Sequence, residues 1–414
     1  MRKTRSPSAR NHRQSLAIVF PHPLNGSLGS TRRVKEIALS LSRELDVRVN
    51  IYTPYERRTI TFSDKVAVKP TPSALSALGL TSIGYRLSKK LYYSRLFSKR
   101  LLARSLGFFK FVSHTGFRDL LSKDGAAAIQ AEQDLTLPLA LELGKELHIP
   151  VIADLHNISA EELVATRIFK RTDPAYRELQ NHTREWLSDA DFVCVVSEEM
   201  KRYVRAEYEI DEKKTLIVPP GGRRRPPPRK VKTGNKVIFI GTVSNREHVD
   251  LYAKSAPIIR ERVSNAEFYA TQKGEDLGRI KRLCKKLNVQ MRWFWFHDEE
   301  GLFRLLHECK VGVLPSSNDQ ARIMGTPIKL LDYMSTGLPV VANNIGGWTR
   351  IIEEEEIGIL THDNPKSFAD ATLRLLGDNA LREKMANNAL EAVEEKHNWE
   401  ISVCPLVKIY ADQL

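Results

Sequence analysis

Short apolar, often β-branched runs alternate with longer amphipathic stretches along most of this chain, and that alternation predicts strands joined by helices in parallel α/β units. In the first half the runs are LAIVF (16–20), VRVNIYT (47–53), AAAIQAE (126–132), PVIADLH (150–156), ADFVCVVS (190–197) and TLIVPP (215–220). Strands covered by helices on both faces carry such continuous apolar runs. Between them, STRRVKEIALSLSREL and LPLALELGKEL repeat at helical spacing. The pattern then stops at PPGGRRRPPPRKVKTGN (219–235), rich in Pro, Gly and positive charge, and this reads as a boundary. After it KVIFIG (236–241), AEFYAT (266–271), VQMRWFWF (289–296), KVGVLPS (310–316) and PVVANN (339–344) predict a second parallel sheet. The expected organisation is a flexible basic tail over 1–14, a Rossmann-like domain over 15–218, a linker over 219–235, a second such domain over 236–395 and a terminal helix over 396–414. That helix, NWEISVCPLVKIYADQL, is expected to pack back on the first domain.

Composition narrows the class. A chain of 414 residues suits two cores of ordinary size, and 42% hydrophobic with 28% charged residues is the balance of a globular protein. No apolar run approaches the length of a spanning helix, and LAIVF is too short for a secretory segment. The four cysteines, Cys194, Cys284, Cys309 and Cys404, are scattered without a CxxC pair, so the spacing predicts neither zinc nor a disulfide framework. A cytoplasmic protein is the expectation.

Three segments carry candidate chemistry. The first strand leads into PHPLNGSLGSTRR, where Gly26 and Gly29 lie in a strand-to-helix turn. Such a turn brings backbone N–H groups to an anion at the positive end of a helix, although tight packing alone also selects small residues. In PVIADLHNISAEE, His156 falls at the carboxyl end of a buried strand, with Asp154 two residues earlier on the same face. A histidine there is either a satisfied structural group or a neutral donor to a sugar hydroxyl and to charge forming in a transition state. The third segment is VGVLPSSNDQARIMGTPIKLLDYMSTGLPVVANNIGG. Capping preferences predict a helix with Thr326 as N-cap and Pro327 as its first residue. Lys329 in its first turn opposes the helix dipole, so an anion there would compensate it. The Asp332 carboxylate could accept two hydrogen bonds from a ribose diol. A solvated face pair is the alternative, but Ile328, Leu330, Leu331 and Met334 surround the two with apolar residues.

With these residues in view, the chain resembles the retaining GT-B glycosyltransferases of the large "glycosyl transferases group 1" family, of family 4 type. In that family a glutamate, seven residues and a second glutamate precede an A-x-G-x-PVV run. MSTGLPVVA matches the end of this pattern, with Asp332 at the second glutamate. SEEMKRYV, LIVPPGG, IFIGTV and the closing Trp-to-IY helix extend the resemblance from residue 15 onward. Two departures stand out: Met324 occupies the first glutamate position, and Thr242, Arg246 and Glu247 stand where an Arg/Lys pair is expected.

The resemblance implies an α/β GT-B fold, two Rossmann-like domains with parallel sheets facing a central cleft, and front-face sugar transfer from a nucleoside diphosphate with retention. It also implies a glycan or lipid-linked acceptor and no required metal. Lys329 and Arg246 would hold the diphosphate and Asp332 the ribose. Gly241, Gly346 and Gly347 would let backbone approach the donor; Gly26 and Gly29 join the donor-binding candidates by their place in the strand-to-helix turn, and His156, by its place at a strand end, joins Lys329 as a catalytic candidate. An epimerase or hydrolase of the same architecture is one rival. A weakly active binding protein, suggested by Met324, is another. The net charge of +14 favours anionic partners, and Lys65 to Arg118 holds eleven basic residues and no acid. Its basic and aromatic interleaving predicts attraction to an anionic membrane, peripheral on the inner face. No nucleic-acid motif accompanies it.

Overall fold

The computed structural model describes residues 14–24, 29–72, 112–228, 234–296 and 298–413. Gly26 and most of the acid-free basic stretch lie outside these residues. No described helix is long and apolar enough to cross a membrane.

In chain order the first series of elements is β1 (Ser15–Val19), α1 (Gly29–Glu44), β2 (Arg48–Thr53), β3 (Ile60–Thr61), β4 (Val66–Pro70), α2 (His114–Lys123), β5 (Ala126–Glu132), α3 (Leu137–Leu147), β6 (Val151–Leu155), α4 (Ser159–Ala165), α5 (Pro174–Asp189), β7 (Phe192–Val195), α6 (Glu198–Tyr208) and β8 (Thr215–Ile217). The second is β9 (Lys236–Phe239), α7 (Val249–Arg262), β10 (Glu267–Thr271), α8 (Leu277–Lys286), β11 (Met291–Phe294), α9 (Glu299–His307), β12 (Val311–Leu314), α10 (Gln320–Met324), α11 (Ile328–Ser335), β13 (Val340–Asn343), α12 (Thr349–Glu354), β14 (Gly358–Thr361), α13 (Pro365–Gly377), α14 (Asn379–Glu395) and α15 (Trp399–Gln413).

These elements form two compact units. One comprises the chain up to Val195 with Lys201–Val218 and the chain from Val403 on; the other comprises Val196–Met200 and Pro219–Ser402. The first is built on an eight-stranded sheet in the order β3-β4-β2-β1-β5-β6-β7-β8. All its pairs are parallel except β3 with β4. Within this unit the Tyr410 hydroxyl of α15 donates to Gln130 Oε1 of β5 at 2.9 Å.

The second unit carries six parallel strands in the order β11-β10-β9-β12-β13-β14. Successive side chains on a strand point to opposite faces, and the two cores follow that rule. Val237, Phe239, Phe268, Ala270, Val311 and Val313 join one apolar cluster beneath α7, α8 and α13. Ile238, Ile240, Leu314, Val340 and Ala342 join the other with residues of α9 and α11. The strands β3, β4 and β14 escaped the sequence reading because they are short or only partly buried: GILT of β14 buries only Thr361 fully, so its apolar contrast is weak.

Candidate functional site

Each sheet reverses its strand order once. In the first unit the chain runs outward from β1 through β2 to β4, then returns to the other side of β1 with β5. In the second it runs from β9 to β11 and returns beside β9 with β12. Open α/β sheets bind ligands outside the carboxyl ends of the strands at such a switch point, and the polar residues singled out above gather at these two places.

In the second unit β9 ends at Phe239, and the chain turns at Gly241 with φ of +132°. A Cβ at this glycine would stand 2.6 Å from Lys329 Nζ, so only glycine lets the ammonium sit against the turn. Lys329 Nζ also lies 4.9 Å from the centre of the Phe239 ring, a cation–π distance. Beyond the turn, Glu247 is buried and its carboxylate binds two cations: Oε2 contacts Lys329 Nζ and Oε1 contacts the Arg322 guanidinium. The Arg246 carbonyl accepts from the Ser317 N–H and hydroxyl, each at 3.0 Å, and from Arg322 Nε at 3.4 Å. The loop after β9 is thereby tied to both helices that follow β12, α10 and α11. Burial, and then the Arg322 and Arg246 guanidiniums, push the Lys329 ammonium well below its ordinary range, while the Asp332 carboxylate works against them. The touching Glu247 carboxylate also favours the charged form.

The helix bearing Lys329 is positioned by Tyr333. Its hydroxyl accepts from the Ile240 N–H at 3.1 Å and lies 3.1 Å from the Val313 carbonyl and 3.2 Å from that of Ile238. A Cβ at Gly312 would meet the Tyr333 ring at 2.9 Å. Glycine in β12 therefore makes room for the ring that seats α11. Lys329 and Asp332 lie three residues apart on this helix, one turn, and Asp332 is buried.

In the first unit the carboxyl ends of β1, β5 and β6 bring together His22, Gln133 and His156. Gln133 Nε2 lies 2.8 Å from His156 Nε2 and 3.3 Å from His22 Nε2. Gln133 has φ of +69°, a strained conformation for a residue with a Cβ and one that recurs at functional sites. With its amide nitrogen as donor, His156 Nε2 accepts and the ring proton sits on Nδ1, which faces Glu132 Oε2 at 3.7 Å. Beneath lies a buried charge cluster. Arg33 Nη2 reaches the two Asp154 carboxylate oxygens at 2.9 and 3.2 Å. Gln130 Nε2 donates to Asp154 Oδ2 and to Glu132 Oε1, each at 2.9 Å. Burial raises the Glu132 carboxyl to about 6 and the Asp154 carboxyl to about 7, with Arg33 opposing both. Burial, reinforced by Arg33, lowers His156 to about 4.

His156 is therefore expected to remain neutral through pH 5. Because its folded value is depressed, the stability linked to it is present above its ordinary value of 6.5 and is lost as pH falls towards about 4. A histidine NMR titration of the full protein checks this, and a His156 midpoint near 6.5 would contradict it.

Comparison with known proteins now adds the lineage. Residues 29–221 match the model described as "Glycosyl transferase 4-like domain" and residues 223–392 match "Glycosyl transferases group 1". The chain belongs to the group 1, family 4-type glycosyltransferases. It is 29% identical over 177 residues to an uncharacterized glycosyltransferase of Methanocaldococcus jannaschii, a match covering 42% of this chain and 44% of that one. It is 22% identical over 287 residues to the alpha-D-kanosaminyltransferase of Streptomyces kanamyceticus, covering 65% of this chain and 72% of the relative. The match to the first of these thus spans less than half of that protein. Among solved structures, the sucrose-phosphate synthase of Thermosynechococcus elongatus superposes with a TM-score of 0.72 at 17% identity, covering 97% and 99% of the two chains. Anabaena HepE, solved in complex with UDP, superposes at 0.63 and 12% identity over 96% and 100%. At these identities the likeness is one of fold, and the fold is GT-B.

The remaining residues singled out from the sequence take the following places. Thr326 is not the N-cap of α11: Pro327 takes that place in extended conformation, ψ 119°, and no side chain caps the helix. Because Pro327 itself holds extended backbone, the helix begins one position later than capping preferences suggest. The anion that compensates Lys329 is supplied from within, by Glu247. Neither Lys329 nor Asp332 is part of a solvated face. Met324 is fully buried, so the first acid position contributes packing and no charge. Gly29 is the first residue of α1. Gly346, with φ of +86°, and Gly347 are approached by their own chain: a Cβ at Gly346 would meet the Ile323 backbone at 3.0 Å, and the Gly347 N–H lies 3.4 Å from the Ile323 carbonyl.

Glu247, Arg322, Gln133, Glu132 and Arg33 were not singled out from sequence as site residues. Only Arg33 carried a signal. It stands four residues before Ile37 and eight before Leu41, on the stripe that α1 buries, and a cation in an apolar stripe requires a buried partner.

Proposed function

We propose that the protein transfers a sugar from a nucleoside diphosphate donor to a hydroxyl of a glycan or lipid-linked acceptor, with retention of configuration. The observation that carries this reading is the buried Lys329 ammonium at the switch point of the second sheet, pressed against Gly241 and crowded by Arg246 and Arg322. A cation whose charge is disfavoured by burial and by like charges gains most when an anion arrives. The names of relatives support the same direction: HepE was solved with UDP, and a pneumococcal O-GlcNAc transferase with UDP and GlcNAc.

In the reaction, the bond between the anomeric carbon and the β-phosphate oxygen breaks as the acceptor oxygen bonds to that carbon on the same face. The acceptor proton passes to the departing phosphate oxygen. Lys329 offsets charge that grows on that oxygen, a contact stronger in the transition state than in the ground state. Asp332 holds the ribose. His156, kept neutral, is the first unit's candidate group for a sugar hydroxyl. No metal enters this scheme.

A thermal-shift screen of nucleotide sugars tests the donor, since a ligand at a hundred times its dissociation constant adds about 2.7 kcal/mol. Turnover of the stabilising donor is then measured with and without acceptors, and the anomeric coupling of the product by NMR reports retention. Donor consumed at the same rate without any acceptor would mean a hydrolase. For Asp332→Ala, KM for the donor should rise with kcat largely kept, because a ribose contact is alike in ground and transition states. An unaltered KM would remove Asp332 from the donor site.

A further inference from the structure

Glu247 stands where the family resemblance placed a cation, and it gathers cations from two other elements. We infer that Arg322 of α10 is a second diphosphate-binding cation, set beside Lys329 by the shared Glu247 carboxylate, so that two of the site's cations come from the segments after β12. This inference rests on the donor reading above.

Its first support is geometric. One oxygen of Glu247 holds Lys329 and the other holds Arg322, which keeps the two cations a single carboxylate's width apart. A diphosphate presents oxygens on neighbouring phosphorus atoms at comparable spacing. Arg322 is further placed by its backbone N–H, which donates to the α10 cap residue Asp319 at 3.0 Å, and by its Nε, 3.4 Å from the Arg246 carbonyl.

The second support is charge. Arg246, Arg322 and Lys329 lie in one mostly buried cluster, with Glu247 touching the last two and Asp332 near Lys329. A buried ion pair returns little beyond its desolvation cost even when balanced. Arg246 and Arg322 both crowd the Lys329 ammonium, and like charges disfavour one another inside a protein. A structural ion pair needs one cation for Glu247. Here one carboxylate is shared by two cations, and an arriving diphosphate would offset the difference. A guanidinium also suits the role, because its planar fork can engage a carboxylate and a phosphate in fixed geometry, whereas an ammonium acts as a point charge.

Binding of UDP, GDP and ADP, and of the corresponding nucleosides, to the full-length wild type and to Arg322→Gln and Arg322→Lys tests this by calorimetry. The glutamine variant should bind the preferred nucleoside diphosphate about tenfold or more weakly, with binding of the nucleoside unchanged. The lysine variant retains the Glu247 pair, and with it the fold, and should fall between. Glu247→Gln removes the carboxylate that competes with phosphate but also sets the cations, so KM for the donor should fall together with kcat. Wild-type affinity for the diphosphate in both Arg322 variants would overturn the assignment while leaving the donor reading intact. Equal losses for nucleoside and diphosphate would also overturn it. A wild type that binds none of the three diphosphates would overturn the donor reading and this inference together.

Discussion

Replacing Lys329 by alanine should lower turnover by about a hundredfold or more, with the fold intact. The loss is expected in kcat, because the ammonium meets charge that develops only as the diphosphate departs, and removing one such contact from a water-poor site commonly costs about 10² or more in rate. The fold should survive because Glu247 keeps its second partner, Arg322, so no buried carboxylate is left without a counter-charge. Lys329→Met separates charge from packing further, since it keeps an apolar stem over the Phe239 ring. Donor turnover and circular dichroism of both variants check the expectation. Wild-type turnover in either one would remove Lys329 from the site.

The largest effect on stability should come from Arg33→Met. Arg33 is almost wholly buried, and its guanidinium is the charge that opposes the burial penalty on both Asp154 and Glu132. Removing one partner of a buried pair typically costs about 3–5 kcal/mol, because the other charge stays behind uncompensated. The loss should depend on pH. Both carboxyls have raised folded values, about 6 for Glu132 and about 7 for Asp154, so the stability linked to them is full below the ordinary carboxylate range and is lost as pH rises through those values. At pH 5 the two groups are largely protonated with or without Arg33, and its removal should cost little. At pH 8 both must ionise or strain the fold, and the full penalty should appear. Denaturant unfolding of wild type and variant at the two pH values measures it. A destabilisation equal at both would mean that Arg33 acts by packing alone.

Lys329 and His156 mark how far local sequence pattern reaches. Lys329 was legible: a lysine in the first turn of a helix whose neighbours are apolar has no comfortable place in solvent or in the dipole's field. Its partners were not. Glu247 lies 82 residues away from Lys329 and 75 from Arg322, and no periodicity links positions brought together only by adjacent strands. His156 was legible as a strand-end residue, but the glutamine between it and His22 was hidden, because Gln133 matters through a backbone angle and two distant imidazoles.

By itself the sequence determined the alternation of strands and helices, the break near residue 219, and the class of fold. Those depend on local periodicity and on burial of apolar runs, which a chain carries from one residue to the next. Tertiary structure alone decided that β12 lies beside β9 and β5 beside β1, and hence which loops meet at each switch point. It also decided that the anion answering Lys329 is a glutamate of this chain, and that Asp154 pairs with an arginine 121 residues away. Ion pairs and tautomers are set by distances of a few ångströms between remote segments, and only the packed sheets bring those segments within reach.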